Sequence, residues 1–340
     1  MAAPADTRAS VAAARRAEKA PSGGWRTIAA KELADHLEST RFLVLLVVVG
    51  MAAIFPMYFI SSDISAAAPE VSGAKALFLA VFVAGSKSAM SLTAVFLAGL
   101  LVPLVGIAFG FDAINVERQQ GTLSRLLSAP IHRDDIVNGK FVGGIAVISL
   151  MLGVLVLLIS AIAMVRLGIV PSPEEIARVI VWLAATVLYA SFWLAFALLL
   201  SVVVRGAATA ALVGFGTWLG LAFFGQLLLP IIANVIFPAN TSGTAQDYFA
   251  STTASALFLR ISPATLYQDV VQAVMNPATK TVLGATNLGQ YVSSQEALPS
   301  LLTLDQSILL VWPQIVLLVA LTVAMFALAY VLFLRQEVRA

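Results

Sequence analysis

The sequence predicts an all-α membrane protein of six transmembrane helices, and two observations carry that expectation. Hydrophobic residues make up 60% of the 340-residue chain and charged residues only 11%, against about a quarter charged in soluble domains, and mean hydropathy is +0.95. The apolar residues are also gathered into runs long enough for spans of about 20 residues, at 42–60, 92–114, 141–165, 179–204, 207–229 and 308–334. A polar island, Glu117 to Lys140, separates the second run from the third.

Taken in order, residues 1–24 are rich in Ala, Arg, Ser, Gly and Pro and lack an apolar signal stretch, so they read as a disordered cytosolic tail. From 25 to 41, Trp25, Ile28, Ala29, Leu33 and Leu37 mark one helical face, with Arg26, Lys31, Glu32, Asp35 and Glu38 on the rest. That pattern predicts an interfacial amphipathic helix in contact with membrane lipid. Residues 42–237 hold the first five spans. Within them Ala76 to Ala84, between Lys75 and Lys87, is too short to cross and is expected to lie on the membrane surface. Apolar character continues past Pro230 through Ile231, Ile232, Val235, Ile236 and Phe237, which predicts a separate re-entrant or interfacial helix. Residues 238–307 read as an outer-face subdomain. It has one amphipathic piece, Leu266, Val270, Val271 and Val274 after Pro263, and enough aromatic residues (Tyr248, Phe249, Phe258, Tyr267) to imply order. Residues 308–340 supply the sixth span and a short tail.

Lysine and arginine placement orients the chain. With the amino terminus inside, fourteen of the 20 basic residues fall in inner segments and six in outer ones, so both termini and the polar island are expected in the cytosol of a cell-membrane protein. The net charge of +2 is too small to suggest nucleic acid. No cysteine is present, which excludes disulfides and thiolate metal sites. His36 and His132 have no second ligand at metal-site spacing. Span cores lack Asp, Glu, Lys and Arg, and charges such as Asp112, Arg166, Arg178, Arg205 and Arg335 stand at span ends. This weighs against ion-coupled carriers, which need buried ionisable groups. The polar groups within spans (Ser160, Thr186, Ser191, Thr209, Thr217, Gln226) read as helix-packing contacts and suit an amphipathic or apolar cargo.

The island carries most of the chemistry. Gly121 breaks the preceding helix, Thr122 can cap a new one, and Leu123, Leu126 and Leu127 make an apolar stripe that Pro130 ends. A helix of two turns is marginal alone and needs a partner. Gly139-Lys140 is not a phosphate loop, because Phe141 follows it and Asp134 stands where the first glycine would be. The chain therefore has no ATPase motif of its own.

Glu117-Arg118, Gly121-Thr122-Leu123, Leu126-Leu127, Pro130, Arg133 and Gly139-Lys140 resemble the signature of ABC-2-type transporter permeases, most of all the NosY-like branch. The resemblance implies the ABC-2 exporter fold. In that fold 117–140 is a cytosolic coupling helix docking on a separate ATPase subunit, present in two copies and holding the ATP and Mg, while the permease chain itself binds no cofactor. It also implies an interfacial helix near that ATPase (Trp25, Ile28, Leu33, Leu37) and re-entrant helices between the fifth and sixth spans. A second permease subunit would meet the first along its first and fifth spans. Small residues at packing spacing, Gly106 with Gly110 and Gly214, Gly216, Gly220 and Gly225, fit close helix approach, whether within one subunit or between two. The function expected is an exporter permease, and the rival reading is a non-transporting scaffold that anchors an ATPase and transmits force to an outer-face partner.

Overall fold

The computed structural model describes residues 24–66, 76–84, 93–121, 132–238, 244–279 and 301–336, and among them all regular structure is helical. Helix α1 (Gly24–Leu37) is followed by the first span, α2 (Thr40–Ala66), and the short α3 (Leu77–Val83). The second span, α4 (Ala94–Gly110), leads through a turn into α5 (Asn115–Gln119). The third and fourth spans are α6 (Arg133–Leu167) and α7 (Pro173–Val203). The fifth begins as α8 (Ala207–Leu219), passes through six π-helical residues, Gly220–Gly225, and ends as α9 (Gln226–Ile236). Two further helices, α10 (Ala245–Leu259) and α11 (Pro263–Met275), precede the sixth span, α12 (Leu304–Arg335). Among the described residues six stretches are long and apolar enough to cross a membrane, the second running from Ala94 through α5 to Gln119 and the fifth from Ala207 to Ile236.

Local sequence explains where these helices begin and end. Ser172 caps α7 by accepting from the Glu175 amide (3.2 Å), Pro173 occupies the first helical position, and Glu174 and Glu175 sit at the positive end of the helix dipole. Thr244 with Asp247 and Thr303 with Gln306 repeat that device for α10 and α12. Gly121 (φ +68°) follows α5 and Gly168 (φ +65°) follows α6, each in the left-handed conformation that ends a helix and that a side chain resists.

The fourth span is the centre of the bundle. Tyr189, Trp193, Leu194 and Ala197 of α7 are buried, and α4 lies so close that a Cβ on Gly106 would stand 2.5 Å from the Ala190 carbonyl oxygen. Gly110 is equally tight, with 2.8 Å to the Ala197 Cβ. These two glycines therefore pack within the subunit. On another side Tyr267 of α11 stacks on Tyr189 with ring centroids 4.5 Å apart, and its hydroxyl meets Thr186 Oγ1 (3.0 Å) and Trp182 Nε1 (3.2 Å). Thr186 and Ser191 are thus packing groups, as expected, each also donating back to its own helix.

Two expectations are corrected. Residues 76–84 do not lie on a surface: Phe78, Leu79, Val81 and Phe82 are buried among α2, α4, α7 and α11. The sequence LFLAVFV is apolar all round, and a helix without a polar face belongs inside a bundle. Glu175 holds its start, with Oε1 accepting from the Phe78 amide (3.0 Å) and Oε2 from the Ser172 amide (2.8 Å). The segment after Pro230 is likewise not a separate helix, because the fifth span runs on through its π-helical turn to Ile236 with the proline inside it. A membrane helix tolerates such a proline when local π adjustment re-satisfies the backbone.

Candidate functional site

The helix termini gather at two ends of the bundle. At one end α1, α5, the 203–207 turn and Gln336 meet. At the other, Arg178 (1% exposed) donates to the carbonyls of Val274 (2.8 Å) and Leu302 (2.5 Å), to Ser307 Oγ (3.2 Å) and to Glu174 (3.0 Å), which ties α7, α11 and α12 together.

The site at the α1 end is built on Lys140, whose side chain is only 6% exposed. Its ammonium group bridges two carboxylates, Glu32 of α1 at 2.7 Å and Glu117 of α5 at 2.8 Å. An ion held this far from water needs such partners to repay its desolvation. Glycines make the approach possible, since a Cβ on Gly139 would meet Ile28 at 2.6 Å and one on Gly143 would meet Glu32 at 2.8 Å. Helix α1 therefore lies along the start of α6 instead of resting on lipid alone. Arg41 closes the adjoining side with a bidentate pair to Asp112 (2.6 and 3.1 Å) and a bond to the Ala108 carbonyl (2.7 Å). Together these groups line an open cleft of about 610 Å³ that also includes His36, Val116 and Gln120.

His36 packs edge-on against Phe109 with ring centroids 5.0 Å apart. Burial holds its pKa below the ordinary 6.5, with Glu32 and Asp112 pulling upward and Arg41 and Lys140 downward. The proton thus binds more weakly in the folded protein than in the unfolded chain. The stability contributed by neutral His36 is whole above pH 6.5 and is lost as pH falls through the lowered folded value. The thermal midpoint of the native chain should drop more steeply between pH 7 and 5 than that of His36→Gln, and equal slopes would remove His36 from this account.

The expected site residues divide. Glu117 is brought into the Lys140 cluster and Arg118 lies apart from it, and both turn toward their own chain: Arg118 donates to the Val202 carbonyl (3.2 Å) and to Gln336. Gly121 ends α5, and Arg133 opens α6 as an exposed residue apart from the Lys140 group. Thr122, Leu123, Leu126, Leu127 and Pro130 lie outside the described residues. On α1, Ile28 is buried, Trp25 and Leu33 are half-buried and Leu37 is exposed. A Cβ on Gly214 would stand 3.0 Å from Ile107, whereas one on Gly216 or Gly220 would meet nothing within 4 Å and one on Gly225 would meet only its own helix. Sequence reasoning passed over Glu32, His36 and Lys140. Glu32 was counted on the polar face of α1, and Lys140 stood in the motif only as its final residue.

The sequence profile of ABC-2 family transporter proteins matches residues 26–338. The chain belongs to that family. With six candidate membrane spans among its described residues, it is an ABC-2 transporter permease, the non-ATPase membrane subunit. It is 32% identical over 117 residues to the probable ABC transporter permease protein NosY of Pseudomonas aeruginosa, covering 34% of this chain and 37% of that one. It is also 32% identical over 142 residues to the protein of the same name from Stutzerimonas stutzeri, covering 40% and 50%. The ABC-2 permease thus spans half or less of the length of these curated relatives.

Proposed function

We propose that this permease is the membrane subunit of an exporter in which two copies of a separate ATPase engage segment 117–140 from the cytosol and drive an amphipathic or apolar substrate across the cell membrane. The observation that carries this reading is the Glu117–Lys140 contact. The two ends of the polar island are pinned together at 2.8 Å, so the stretch between them leaves and returns at one braced point, where a push reaches α1, α5 and α6 together. A solvated connection would not require a buried ion pair at its root. The fifth span supports a second permease copy. Few of its residues are buried within the subunit, and a Cβ at Gly216 or Gly220 would meet no neighbour. Both termini and the α1 end would then face the cytosol.

Leu123→Ser with Leu126→Ser tests the docking. Each leucine buried in a partner groove is worth roughly 1.5 to 3 kcal/mol, and each 1.4 kcal/mol is about tenfold in affinity. The double variant should remain folded in the membrane yet lose the co-purifying ATPase. Retained ATPase with normal transport would return the segment to a plain loop. Cysteines at 120 and 205 should label from the cytosolic side and those at 65 and 170 from outside, all four positions being exposed, and labelling of 120 from outside would invert the assignment. Cargo-stimulated ATP hydrolysis separates the exporter from a force-transmitting scaffold.

A further inference from the structure

The adjacent residues Glu117 and Arg118 serve different contacts. Glu117 joins the Lys140 group, whereas Arg118 reaches the far ends of the fourth and sixth spans. Its Nη1 donates to the Val202 carbonyl oxygen (3.2 Å) and its Nη2 to Gln336 Oε1, while Gln336 Nε2 donates to the same Val202 carbonyl (2.8 Å). One residue earlier, Ser201 Oγ accepts from the amides of Ile114 (2.9 Å) and Asn115 (3.1 Å) at the start of α5. Helix starts leave amides unpaired and helix ends leave carbonyls unpaired, so each helix here supplies what the other lacks. The guanidinium suits this position because its fork holds two acceptors at once and its charge favours the negative end of the α7 dipole. Ile114, Val202, Ala329 and Phe333 pack together beneath the polar contacts.

We propose that Arg118 and Gln336 are positioning residues that clamp α5 to the ends of α7 and α12, so that a displacement arriving at α5 moves the fourth and sixth spans together. The direction of that displacement rests on the docking of an ATPase at 117–140. The clamp itself does not. Since Arg178 fastens α7 and α12 to α11 at the opposite end, the same movement carries α11 with it. Gln336 is then part of the coupling machinery and not a free tail.

The chain has no cysteine, so spin labels can be placed on Gln120→Cys and Arg335→Cys, both exposed, in the permease–ATPase complex. Dipolar coupling between the two labels of one subunit should report a narrow separation, kept when ATP and vanadate are added. In Gln336→Ala and Arg118→Gln the distribution should broaden and the two labels should diverge on nucleotide addition, and in Gln336→Ala, which lies outside 117–140, the KM for ATP should be unchanged. Arg118→Lys, which keeps one contact, should fall between. An unchanged narrow distribution in both loss variants would overturn the clamp. If Arg118→Gln fails to assemble, Gln336→Ala decides, because it removes no charge and lies at the edge of the fold. If the ATPase does not act through 117–140, nucleotide moves no label in any variant, and the width without nucleotide still judges the clamp.

Discussion

Lys140→Met is expected to cost about 3 to 5 kcal/mol of stability, the usual penalty for breaking a buried ion pair from one side. The ammonium is 6% exposed, and the carboxylates it holds, Glu32 and Glu117, are 12% and 14% exposed. Without it two carboxylates with little of their own surface exposed face each other at the wall of the cleft. Helix α1 should come away from α6, and the brace under the polar island should fail with it. The measurement is thermal unfolding of the detergent-solubilised complex together with retention of the ATPase. The triple variant Lys140→Met, Glu32→Gln, Glu117→Gln should recover most of the stability, because the desolvation cost disappears along with the attraction. A single variant as stable as the native chain, or a triple variant no better than the single one, would mean that the cluster contributes little.

Gly106→Leu is expected to prevent the bundle from closing. At this position even one methyl group would stand 2.5 Å from the Ala190 carbonyl oxygen and 2.9 Å from the Trp193 Cβ, atoms that can yield only if two spans separate. Overpacking a tight core costs about 1 to 3 kcal/mol for small additions, and a leucine far exceeds the space. Gly216→Leu with Gly220→Leu makes the control, since neither position has a neighbour within 4 Å. That pair should leave the single subunit folded and weaken its association with a second one. Size-exclusion chromatography in mild detergent distinguishes the outcomes. Folded Gly106→Leu protein in native yield would contradict the packing, and an undisturbed dimer in the double variant would assign those glycines to lipid.

Much of the architecture was legible before any coordinates. The six spans follow from run length, and the short polar island from its contrast with its neighbours. The readings that failed involve segments whose fate depends on other segments. LFLAVFV at 77–83 was judged by its length, which is too short to cross, but its depth follows from the space left among four other helices. The stretch after Pro230 reads as a separate helix, yet the fifth span passes through its π-helical turn and runs on through the proline to Ile236. The candidate site divides in the same way. Glu117 and Arg118 could be singled out from their motif, but nothing local showed that they turn inward.

By itself the sequence determined the class, the number of spans and the caps of the helices, because hydrophobic run length, capping residues and breaking residues act over a few turns of chain. Only the tertiary structure decided which charges are buried together. Lys140 meets Glu32 from 108 residues away, and Arg118 meets Gln336 from 218 residues away. No period or spacing records such a pairing. It exists because Gly139 and Gly143 admit α1 against α6, and because the fold leaves little of the Lys140, Glu32 and Glu117 side chains exposed, so that each charge must find its partner within the protein.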